Sequence, residues 1–153
     1  MTKKRKILTV ILSVLIALTL GFIWSNSLRT SGDSANQSQE TYSWIRVVLD
    51  FIFGEGVITH AMFRKMAHFG EFFILSLEID LLIITIKKYQ IKRVWVQLLI
   101  GLAVAIVDEL LQLIVGRGAM VKDVLIDFGG VVSITLIILI IYLIVKKRQG
   151  RKI

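Results

Sequence analysis

The sequence predicts an all-α integral membrane protein: a four-helix bundle with an outer amphipathic interfacial helix and both termini cytoplasmic. Three observations predict it. Of 153 residues, 56% are apolar, with a mean hydropathy of +0.77. A soluble domain of this size buries only about 70% of its surface. Several apolar stretches approach the roughly 20 residues that a helix needs to cross a bilayer core. Lysine and arginine gather in three segments, with 13 of the 19 in those segments and no Asp or Glu beside them.

The elements follow in order. Lys3, Lys4, Arg5 and Lys6 precede an uncharged run over about 7–24. That run exceeds a signal-peptide core, and no small-residue cleavage site follows it. It is expected to be a retained first span. Ser25 to Gln39 is polar and reads as a solvated loop. Trp44, Val47, Val48, Phe51 and Ile52 then form an apolar stripe at helical spacing, too short and too charged to span and suited to the membrane interface. The second span covers about 66–86, interrupted by Glu71, Glu78 and Asp80, and is followed by Lys87, Lys88, Lys92 and Arg93. The third covers about 94–115 and ends in Gly116-Arg117-Gly118; the fourth covers about 124–145. Lys146, Lys147, Arg148, Arg151 and Lys152 close a single domain over 1–153.

The three basic segments set the orientation, because the lysine and arginine bias marks the cytoplasmic side. The net charge of +8 is thereby explained without nucleic acid; the anionic inner leaflet is its partner. The absence of cysteine excludes disulfides, thiolate metal sites and a cysteine nucleophile. The absence of proline excludes proline kinks.

This topology brings charge to one membrane face. The second span begins there with Arg64, Lys65, His68 and Glu71. The third ends there with Asp108, Glu109 and Gln112, and the next turn and helix start add Arg117, Lys122, Asp123 and Asp127. At about 100° per residue, Arg64, His68, Glu71 and Glu78 lie within about 80° on one helix face. Asp108 with Gln112, and Asp123 with Asp127, are i, i+4 neighbours, and Gly130 continues the second pair's face. A charge in lipid costs roughly 2.5–3.5 kcal/mol on the gentlest scale, so these faces are expected to point inward and to pair. The expected pairs are Arg64 or Lys65 with Asp108 or Glu109, and Arg117 with Asp123 or Asp127.

Arg64-Lys65-Met66-Ala67-His68-Phe69-Gly70-Glu71-Phe72 resembles the R-K-x-x-H-F-x-E-Y signature of VanZ-like membrane proteins. Asp108-Glu109-Leu110-Leu111-Gln112, Gly116-Arg117, and Asp123 to Asp127 with Gly130 resemble that family's D-E-x-x-Q, P-G-R and D-x-x-x-[ND]-x-x-G. Ser25-Asn26-Ser27 suits the family as well. Phe72 stands where tyrosine is common, and Val115 where proline usually precedes Gly-Arg. The family is named after a protein linked to low-level resistance to the glycopeptide teicoplanin. The resemblance implies a multi-pass protein of the cell membrane and a polar site more firmly than a reaction.

The cluster has a structural and a functional reading. It is either an ion-pair network that fixes helix register or a site open to the outer leaflet. In the second reading Arg64, Lys65, Arg117 and Lys122 clamp an anionic lipid or lipid-linked cell-wall precursor, and Glu71, His68 or Asp108 moves a proton as the catalytic candidate. The ligand-binding set is then Arg64, Lys65, His68, Glu71, Asp108, Glu109, Gln112, Arg117, Asp123 and Asp127. A cation held by His68, Glu71 and a third-span carboxylate is a further reading, but one well-placed histidine among four basic residues argues against it, and no metal or cofactor is expected. His60 is expected to be solvated. Gly129-Gly130 reads as close helix packing, and Trp24, Trp44 and Trp95 as interface anchors. The leading function is a VanZ-like envelope protein that alters antibiotic handling. An enzyme on a lipid-linked phosphate or pyrophosphate is the alternative, and a small proton-coupled carrier a third, disfavoured by four spans without repeats.

Overall fold

The computed structural model describes residues 2–86, 90–118 and 120–150. Of the basic residues used for orientation, Lys87, Lys88, Arg151 and Lys152 lie outside them. The described residues form five helices: α1 (Lys3–Ser27), α2 (Ser31–Phe53), α3 (His60–Ile86), α4 (Ile91–Ile114) and α5 (Val121–Gly150). There is no strand among them. Three helices, α1, α4 and α5, are long and apolar enough to cross a membrane. α3 has 27 residues but carries three carboxylates along its apolar stretch.

The polar stretch after α1 is where the expectation of a loop fails. Thr30 caps a helix that starts at Ser31: its Oγ1 accepts from Asp33 N at 3.3 Å and donates to Asp33 Oδ2 at 2.7 Å. The first bond satisfies one orphan backbone donor at the helix start, and the second holds the two side chains together. Ser31 to Gln39 is thus helical and continuous with the amphipathic stripe. Asp50 closes the other end of α2. Its carboxylate accepts from Arg46 Nε at 3.2 Å and from Gly56 N at 3.0 Å, tying down the turn before α3.

α4 ends in a Schellman motif. Gly116 N donates to Leu113 O at 3.1 Å and Arg117 N to Gln112 O at 3.0 Å. Gly116 has φ +77°, a left-handed conformation costly for any residue with a Cβ. The motif turns the chain sharply just before Arg117.

α3 packs most extensively on α5, then on α1, and α4 packs on α5. One core cluster draws Ile23 from α1, Phe72 and Leu75 from α3, Ala105 from α4 and Val131 from α5. The α3–α5 crossing is close because Gly130 has no side chain: a Cβ there would lie 2.3 Å from Phe69 O and 3.0 Å from Phe73 N. This bears out the packing role expected for the glycine pair, with Gly130 making the approach. Away from these contacts α1 exposes Ile7, Val10, Val14 and Leu18. So large an apolar surface fits a lipid environment and not water.

Candidate functional site

The end of the helix array where α3 and α5 begin and α4 stops is polar inside. Asp108 is completely buried. Its carboxylate accepts a hydrogen bond from Ser27 Oγ of α1 and another from Gln112 Nε2 at 2.9 Å. The i, i+4 spacing read from the sequence thus becomes a real contact within α4. Asp127, 1% exposed, faces it from α5, and neither of its oxygens has a hydrogen-bond donor. His68 on α3 stands between: its Nδ1 is 3.8 Å from Asp127 Oδ1 and 4.0 Å from Glu71 Oε2. Both distances exceed hydrogen-bond range. Glu71 Oε1 accepts from Asn26 Nδ2 at 3.4 Å.

Above this floor lies a cavity of about 250 Å³. Arg64, Lys65, Arg117 and Lys122 line it, together with His68, Glu109, Gln112, Asp123 and Asp127. Glu71 lines a neighbouring cavity with Asn26, and Arg64, His68 and Arg117 border both. Only Asp108 of the ten residues read from the sequence lines neither, because it sits behind the floor.

The expected ion pairs are not made. Among the described residues, the pairs within 4 Å are Arg46–Asp50 and the two contacts of His68. Arg117 instead donates to the Asn26 carbonyl at 3.4 Å, and Arg64 to Ser34 Oγ at 3.4 Å. Glu109 Oε2 accepts from Met120 N at 2.9 Å, just before α5. Burial and the nearby Arg64 charge lower the pKa of Arg117 from its ordinary value, against the raising effect of Asp108, Glu109 and Asp123. The basic side chains therefore border the cavity without neutralising its floor.

The match that decides the family covers all of these residues: the sequence model of the VanZ/LLP1 family matches residues 7–144. The chain belongs to the VanZ/LLP1 family. No curated protein and no solved structure gives a match. Family membership and three helices able to cross a bilayer identify a VanZ-like membrane protein.

This VanZ/LLP1 chain also contains polar contacts that its sequence did not announce. Asn26 and Ser27 lie one turn past the apolar run of α1, yet they serve Glu71 and Asp108. His60, expected to be solvated, is half-buried: its Nε2 is 2.8 Å from Ser38 Oγ, and its ring lies against Tyr42. Trp24 packs beside the core cluster, whereas Trp44 and Trp95 are exposed. Towards the other end of α3, Asp80 accepts from Thr135 Oγ1 at 3.2 Å, and Gln97 Nε2 donates to Ser76 Oγ at 2.6 Å. Glu78 accepts from Thr19 Oγ1 at 3.1 Å. Asp80, for which the sequence offered no partner, is thus held by α5.

Proposed function

We propose that this chain is a multi-pass protein of the cell membrane, with α1, α3, α4 and α5 crossing as a four-helix bundle and both termini in the cytoplasm. Residues 1–153 act as one domain, and α2 lies on the outer interface. The exposed apolar face of α2 supports this: Trp44, Val47 and Phe51 are 79%, 76% and 90% exposed. The polar cavity then opens at the outer leaflet. It takes the phosphate or pyrophosphate headgroup of an anionic lipid or lipid-linked cell-wall precursor, and by doing so alters the access of glycopeptides such as teicoplanin to the envelope.

One observation carries the reading. Four basic side chains line one cavity of headgroup size, and among the described residues none of them is within 4 Å of a carboxylate. Cations left free of carboxylates are available to an anionic ligand, and arginine can bind phosphate bidentately. His68 close to two carboxylates favours a second reading, in which the same site turns over the lipid-linked substrate with His68, Glu71 or Asp108 moving a proton.

The test compares cells with and without the protein for bound teicoplanin per cell, drug susceptibility and lipid-linked precursors. Lower drug binding with unchanged precursors supports the first reading; altered precursors support the second. Arg64→Gln and Arg117→Gln, at wild-type folded yield, should abolish either effect. Full activity in the double variant would refute the headgroup site.

A further inference from the structure

Asp127 poses a physical problem. It is 1% exposed, both its oxygens lack a donor, and they face into the cluster with Asp108 and His68. A buried carboxylate without a partner is strongly unfavourable. The Nδ1 atom of His68 is buried and has no hydrogen bond either. The nearest arginines are engaged elsewhere, Arg117 with the Asn26 carbonyl and Arg64 with Ser34. Two unpartnered groups, the Asp127 carboxylate and His68 Nδ1, thus converge beside the buried carboxylate of Asp108.

Their spacing is that of a ligand set. One donor atom from each of His68, Asp108 and Asp127 falls within 4.8 Å of the other two. An ion with bonds of about 2.1 Å in tetrahedral array holds its ligand atoms about 3.4 Å apart, so small side-chain rotations close the set. At 3.8 Å, His68 Nδ1 and Asp127 Oδ1 are too far apart to bond each other and close enough to share an ion. Ser27 and Gln112 orient Asp108 by donating to its two oxygens, as outer partners of metal-binding carboxylates do. The three ligands come from three helices, and His68 and Asp127 line the cavity, so a further coordination position opens towards it.

We propose that His68, Asp108 and Asp127 form a binding site for one divalent transition-metal ion of the Mn²⁺ or Zn²⁺ class, with Glu71 as the nearest additional ligand. One imidazole with carboxylates suits borderline Zn²⁺ and the harder Mn²⁺, which also accepts carboxylates; a set without nitrogen would favour Mg²⁺ or Ca²⁺. The site goes beyond the headgroup reading and does not depend on it.

The test uses the full chain in detergent, without an affinity tag, stripped by a chelator and titrated with MnCl₂ or ZnCl₂. The chain has two histidines and no cysteine, so competing sites are few. We expect one ion per chain with micromolar or tighter affinity. Bound Mn²⁺ should show nitrogen modulation in pulsed electron paramagnetic resonance, retained in His60→Gln and lost in His68→Gln. Asp127→Asn removes a buried charge, so it should remain folded and weaken binding by more than the roughly 10–100-fold expected for an outer partner such as Ser27→Ala. Asp80→Asn should bind as wild type. Absence of binding at millimolar metal, nitrogen modulation that persists in His68→Gln, or unchanged affinity in Asp127→Asn would each overturn the proposal. None of these readouts involves antibiotic or lipid, so the headgroup reading stands or falls separately.

Discussion

Gly130→Ala tests how the α3–α5 crossing is built. The added Cβ would lie 2.3 Å from Phe69 O, against the 3.4 Å at which ordinary contact begins, so the helices must part by about 1 Å. Phe69 O is a backbone atom and cannot rotate away. Replacing a helical glycine with alanine gains about 1 kcal/mol of helix propensity. Overpacking costs about 1–3 kcal/mol, and a backbone obstacle places this site at the upper end. The expected net loss is about 2 kcal/mol, roughly a 30-fold rise in the unfolded fraction. Gly129→Ala is the internal control. Its Cβ would meet only the Phe69 ring at 3.6 Å, so it should be neutral or stabilising. Reversible unfolding in mixed micelles, followed by circular dichroism as the SDS fraction rises, measures both. If Gly130→Ala unfolds at the wild-type SDS fraction, or Gly129→Ala loses as much, the crossing does not rest on that glycine.

Other outcomes follow from named contacts. Gly116→Ala forces a Cβ into a left-handed turn and should cost about 1–2 kcal/mol by the same micelle assay; no loss would mean that the α4 cap tolerates another conformation. Thr135→Val keeps shape but removes the donor to buried Asp80, and should cost about 1–3 kcal/mol. A wild-type midpoint would show that another donor serves Asp80. Tyr42→Phe loses the 2.7 Å bond to Ile58 O and should raise amide exchange in α2 while leaving α4 and α5 protected. Uniform exchange across all helices would contradict this. For orientation, single cysteines at Ser34 and Gln90 should differ: an impermeant thiol reagent should label the first in intact cells and not the second. Labelling at Gln90 would reverse or break the proposed topology.

Much of the helix plan was legible because hydropathy and basic clusters act locally along the chain. Val94 to Ile114 needed only its apolar run, and Gly116 announced the stop. The start of α2 was legible too, through Thr30 and Asp33 in capping spacing, but the polar composition of the segment obscured it. The candidate site was visible as residues and not as pairings. Opposite charges suggested arginine–carboxylate pairs, yet Arg117 reaches a carbonyl and Asp108 takes a serine hydroxyl. Partner choice there depends on where four helix ends meet, a matter of ångströms that spacing along one helix does not encode. The contacts of Gln97, Ser76, Thr135 and Asp80 were hidden for the same reason: each helix offers one or two polar residues in an apolar run, and only their assembly makes a network.

The attachment of α2 has a mechanical consequence. α2 packs mainly on α3, near whose start three polar links join the two: Ser34 to Arg64, Ser38 to His60, and Tyr42 to the Ile58 carbonyl. Arg64 is a wall of both cavities. The apolar face of α2 is turned away from these links and exposed. α2 is therefore fastened on one side only, and a load on Trp44 or Phe51 reaches α3 through these three links, of which Tyr42 is the nearest and Ser34, on Arg64, the farthest.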